Sequence, residues 1–101
     1  MLSRNGAVSA ALNFLQKEAY PDRAESVVML PELGIEYPFG WAVRFDFEEH
    51  IKTGDRAQAP FTSVVIVPHD GSEPHFPPTN LPVEKYMGLR VSGDWPSQRG
   101  Q

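Results

Sequence analysis

Cysteine is absent from the chain, and that removes disulfides and thiolate metal sites together. No apolar run approaches the roughly 20 residues that a membrane-spanning helix needs. The opening stretch MLSRNGAVSAALNFLQKE turns polar every few residues, so it lacks the continuous apolar core of a secretory signal. The expectation is a cytoplasmic protein without a membrane anchor. Length sets a further limit: 101 residues leave room for one hydrophobic core and no second domain. Residues 1–91 read as a single α+β domain and residues 92–101, too poor in apolar side chains to order themselves, as a mobile tail.

Strong charge is missing too, since the net value is −4. Its distribution is uneven. Between residues 25 and 49 the acids Glu25, Glu32, Glu36, Asp46, Glu48 and Glu49 face a single base, Arg44. A segment of that sign repels nucleic-acid phosphate and attracts a basic surface. It also serves, more plainly, as the solvated side of a strand.

What is present falls into a simple order. Val8, Ala11, Leu12, Leu15 and Ala19 recur at helical spacing, widened by Ala7 and Phe14, which predicts a helix over 4–19. Ser3 stands as its N-cap, and Pro21 stops it by pushing Tyr20 out of helical conformation. Val27–Leu30 predict a first strand over 25–31. PELGIEYPFG must then reverse the chain, with Gly40 supplying the freedom to bend. From Gly40 the residues alternate: Trp41, Val43, Phe45 and Phe47 fall on one side, and Ala42, Arg44, Asp46 and Glu48 on the other. That is the pattern of a half-buried strand. Residues 49–60 read as an exposed loop, and TSVVIV as a central strand covered on both faces. A turn at Asp70-Gly71 leads to a short fourth strand carrying Phe76, closed by Pro77 and Pro78. A short second helix follows Asn80, with Val83, Tyr86 and Met87 as its apolar face. Consecutive strands argue for a four-stranded, mainly antiparallel sheet with the helices on one face. The aromatics of the Trp41 strand then belong to the core beneath the first helix.

Catalytic and metal chemistry find little support. His69 and His75 flank the turn around Asp70 and could approach one ion, but no cysteine or HExxH spacing supports them. His50 follows Glu48-Glu49 without any further catalytic partner. Gly71-Ser72 lies in a turn rather than between strand and helix, as a nucleophile elbow requires. The reading is a protein that binds without catalysing, with no cofactor and no metal.

Four stretches carry a family resemblance: ALNFLQKE closing the first helix, Phe39-Gly40-Trp41 opening a strand, VVIVPHDG running into a glycine turn, and PVEKYM, where Pro82, Glu84 and Tyr86 form a Pro-x-Glu-x-Tyr-like ending. In this order they resemble the immunity protein 35 family, also called the YrhB-like domain, small bacterial proteins found beside polymorphic toxins. The chain departs from the pattern at AQAPFTSVV, where only Pro60 remains of a Gly-Asn-Gly-Pro-like turn. The resemblance implies neutralisation of a cognate toxin by direct contact, with a chaperone-like role as the alternative, and it carries no catalytic residues. Combined with the charge pattern, it makes Glu32, Glu36, Tyr37, Phe39, Asp46, Glu48 and Glu49 the candidate partner-binding residues, facing a basic toxin surface.

Overall fold

The computed structural model describes residues 2–60, 62–79 and 81–93. Helix α1 (Arg4–Phe14) begins where Ser3 accepts a hydrogen bond from the Gly6 amide at 3.0 Å, the expected N-cap. It widens into a looser turn over Leu15–Ala19 and stops before a tight turn, Pro21–Ser26. That turn delays strand β1 (Val27–Glu36), which then runs further than the sequence suggested. Strand β2 (Gly40–Phe47) follows directly, then a short helix α2 (Glu48–Thr53) within the stretch expected to be loop. Strand β3 (Val64–Pro68) and helix α3 (Val83–Ser92) complete the order. The segment expected to form a mobile tail lies, from residue 94 onward, outside the described residues.

The sheet is antiparallel in the order β1–β2–β3. Three strands form it among the described residues, where four were expected. The stretch around Phe76 contributes only one bridge, in which Ile66 and His75 exchange both backbone hydrogen bonds at 2.7 and 3.0 Å. The reason lies in Pro74, Pro77 and Pro78, which have no amide proton to carry a ladder onward. β3 is therefore covered on both faces, as expected, yet β2 holds the centre of the sheet.

The helices do not share one face. Ala7, Ala11 and Leu15 of α1 pack on Trp41, Val43, Phe45, Phe47, Val65 and Val67. Tyr86 and Met87 of α3 pack with Ala42, Val64 and Ile66 on the opposite side. The fold has three layers, and period-two alternation in β2 and β3 sorts side chains between two cores. This corrects the one-faced arrangement. Alternation placed Ala42 with Arg44 and Asp46 on the side away from the helices, but α3 covers that end of the strand. Trp41 lies beneath α1 as expected, 7% exposed, and its indole donates to the Leu2 carbonyl at 2.8 Å.

Gly40 has a different role from the one its sequence position suggests. The turn is closed by reciprocal backbone bonds between Tyr37 and Gly40, of 2.8 and 3.1 Å, and no left-handed conformation is needed there. A Cβ at Gly40 would instead lie 2.3 Å from the Val67 carbonyl oxygen and 2.7 Å from Pro68 Cα. The glycine lets β2 and β3 approach closely where the Tyr37–Gly40 turn meets the sheet.

Candidate functional site

The Tyr37–Gly40 turn projects beside α3, and between them lies an apolar groove of about 360 Å³ lined by Tyr37, Pro38, Met87, Gly88 and Val91, with Glu84 and Ser92 as its polar members. Local sequence builds it. Pro38 fixes the backbone of the turn, Met87 is buried against the second core, and Gly88 leaves the middle of α3 without a side chain. Val91 stays half in solvent at the end of the helix.

Phe39 stands behind this groove rather than in it. Its ring packs against the second core and lies under the Arg90 guanidinium, 4.4 Å from the ring centre. Arg90 also donates to the Tyr86 hydroxyl at 2.7 Å, and His75 Nε2 lies 2.7 Å from the same oxygen. With Arg90 donating, the hydroxyl gives its own proton to a neutral His75. Burial holds the His75 imidazole below its usual value, and the Arg90 charge adds to that against an opposing pull from the Glu73 carbonyl. The Tyr86 contacts thus join α3 to the chain segment after β3.

Glu36 reaches across to the residue after β3, where His69 Nε2 lies 3.0 Å from its carboxylate. His69 accepts from the Leu2 amide through Nδ1 at 3.2 Å, so its proton sits on Nε2 and faces Glu36. That nitrogen has no other polar contact among the described residues, and no aligned hydrogen bond forms. The contact is an electrostatic one. Glu32 lies exposed on β1.

The three remaining candidates occupy the other end of the molecule. Seven strand steps separate Gly40 from Phe47, about 23 Å at strand rise. Asp46 accepts from the Phe47 amide at 2.7 Å and holds His50 Nδ1 at 3.0 Å. Glu48 pairs with Lys52 at 3.2 Å. Glu49 accepts from the Ser26 hydroxyl at 2.8 Å and pairs with Arg23 at 3.4 Å. Its own backbone amide, then Ser26 and then Arg23, hold its carboxyl below the ordinary range. Arg23 also stacks on Phe47, 3.8 Å from the ring centre, and donates to the Gln58 carbonyl at 3.4 Å. Glu48 was expected on the solvent face of a strand and Glu49 at the start of a loop; they form instead the first turn of α2, where carboxylates favour a helix start.

The structure therefore gathers Glu36, Tyr37 and Phe39 at one end and Asp46, Glu48 and Glu49 at the other. Sequence reasoning missed the α3 side of the groove: Met87, Gly88 and Val91. Gly88, flanked by Met87 and Leu89 in the amphipathic helix VEKYMGLRVS, was the available signal, since it leaves a bare patch on the helix surface. Among the described residues no group of three or more His, Asp or Glu is placed to hold a metal ion, and no helix is long and apolar enough to cross a membrane.

Comparison with protein families gives a match to Immunity protein 35 over residues 5–93. No curated protein and no solved structure matches the chain.

Proposed function

The chain belongs to the immunity protein 35 family, and from that premise we propose that it neutralises a cognate bacterial toxin by direct contact, without catalysis, through the end of the molecule built from the Tyr37–Gly40 turn and α3. The groove between these elements supports this reading most. It is open and apolar, its volume falls near the lower bound of ligand pockets, about 300 Å³, and it suits one or two side chains inserted from a protein surface. Tyr37 at its wall is of the residue type that dominates interface energetics. Glu84 lines it and Glu36 adjoins Tyr37 in the chain, a negative charge that steers a basic toxin surface toward the groove. Asp46, Glu48 and Glu49, each already partnered within the chain, lie about 23 Å away at the other end of β2 and are largely screened from the groove.

Co-expression with the toxin encoded beside it tests this. Val91→Asp changes a side chain that is 53% exposed and Tyr37→Asp one that is partly buried at the groove wall, so a melting curve first establishes that each variant is folded, and protection against the toxin is then lost. Full protection by both variants would place the interface elsewhere. The alternative, a chaperone-like domain for exposed apolar segments, draws on Leu33, Ile35 and Val91, all more than half exposed. Suppression of aggregation of unrelated proteins, abolished by Val91→Asp, would favour it.

A further inference from the structure

The outer edge of β1 pairs with no strand among the described residues. Its first half, Val27–Leu30, pairs regularly with β2 on the inner side, from Val27 opposite Phe47 to Leu30 opposite Arg44. The ladder then breaks: β1 advances five residues from Leu30 to Ile35 while β2 advances two, from Arg44 to Ala42. Pro31-Glu32-Leu33-Gly34 fill this bulge. They leave Leu33 and Ile35 each 52% exposed, between the exposed acids Glu32 and Glu36.

Natural sheet edges are blunted by lysine, proline, bulges or covering segments, because a bare apolar edge invites another strand. Here Pro31 and the bulge protect only the second half. Val27-Val28-Met29-Leu30 carries no charge and no proline, and exposed acids stand on both sides of it, Glu25 before and Glu32 after. We propose that Val27–Leu30 is an open pairing edge that takes up an extended, basic strand of a partner protein as a fourth strand of the sheet. This rests on the reading that the chain works by binding a protein, and it names the form of the bound segment.

Charge decides between the occupants. In either antiparallel register open to a second copy, about Val28 or about Met29, Glu25 comes next to Glu32 of that copy near both ends, and like charges that close oppose the pairing. A strand with Lys or Arg at those two positions turns both repulsions into attractions. Pro31, without an amide proton, ends the pairing after Leu30. Main-chain bonds over so short a run give modest affinity, and the flanking acids supply selectivity.

The test uses the full chain and two synthetic peptides, one alternating Lys with Val and one alternating Glu with Val. Amide hydrogen exchange is followed by NMR across residues 27–30, where only outward-facing amides, every second one, gain a partner. Expected is fast exchange of those amides in the free chain and slowing of alternate amides with the Lys-Val peptide. Raised salt weakens this binding, and the Glu25→Lys, Glu32→Lys double variant weakens it about tenfold. Three outcomes would overturn the proposal: these amides already protected in the free chain, so that a second copy or another part of the chain covers the edge; binding of the Lys-Val peptide without their protection; or equal binding of the Glu-Val peptide. No toxin is needed, so failure here leaves the groove open to its own test, and loss of protection in Tyr37→Asp cells leaves this edge untouched.

Discussion

Gly40 and Trp41, adjacent in the chain, are constrained by opposite demands. Gly40 must have no side chain, because its missing Cβ would overlap a backbone carbonyl that two paired strands hold in place. Gly40→Ala therefore cannot be absorbed by a rotamer change and is expected to lower unfolding free energy by about 3 kcal/mol or more, read by urea denaturation. Trp41 must have one of a particular shape. Trp41→Phe keeps most of the packing and loses the indole bond to the Leu2 carbonyl, at a cost of about 1–3 kcal/mol. Trp41→Ala also leaves a cavity under α1, and about 3–5 kcal/mol approaches the whole stability of a small domain. If Trp41→Phe matches wild type in the same denaturation, the Leu2 contact contributes nothing. The burial of Trp41 was legible from alternation alone. The demand on Gly40 was not, because close strand approach is a property of β3 packing beside β2, some 25 residues later in the chain.

At the scale of elements, α1 and β2 were readable because each carries its period over ten residues or so, long enough for burial on one side to show. α2 was not. EEHIKT is only six residues, too short to be stable alone, and it forms because Glu48–Lys52, Asp46–His50 and the Arg23 contacts hold it at the end of β2. The placement of α3 was hidden for another reason: periodicity shows that a helix has an apolar face, not which face of a sheet receives it. Its attachment leads to a pH prediction. His75 is held below its usual pKa by burial, so the unfolded chain takes up a proton first as pH falls. The stabilising contribution is complete above the unfolded value, about 6.5, and is lost as pH drops through the lowered folded one. Protonation also leaves the Tyr86 hydroxyl facing two cationic donors. The melting temperature should fall between about pH 7 and about pH 5, and the fall should be smaller in His75→Gln. Equal slopes in the two proteins would show that other groups carry the acid dependence.

For the whole molecule, the question is how a single run of acidic sequence becomes two surfaces. β2 places its ends about 23 Å apart, beyond a Debye length of about 8 Å at physiological salt, so the two acidic groups act nearly independently on an approaching partner. They also differ in what they do for the fold. Asp46 and Glu49 hold His50, Ser26 and Arg23, and Lys at either position breaks a contact that fastens α2 and the 21–26 turn to the sheet. Glu48 is exposed with only an i,i+4 pair, and Glu48→Lys should alter stability by no more than about 0.5 kcal/mol. Lowered melting temperatures are therefore expected for Asp46→Lys and Glu49→Lys but not for Glu48→Lys, by scanning calorimetry. Glu36 adjoins the Tyr37 wall of the groove and Glu32 follows the open edge of β1, where a partner would arrive. Glu32→Lys with Glu36→Lys should slow association with a basic toxin more than Glu48→Lys does, and the difference should vanish at high salt, since long-range steering is screened. Surface plasmon resonance at two ionic strengths measures both rates. A larger loss from Glu48→Lys would move the partner to the α2 end and leave the groove as a feature of packing.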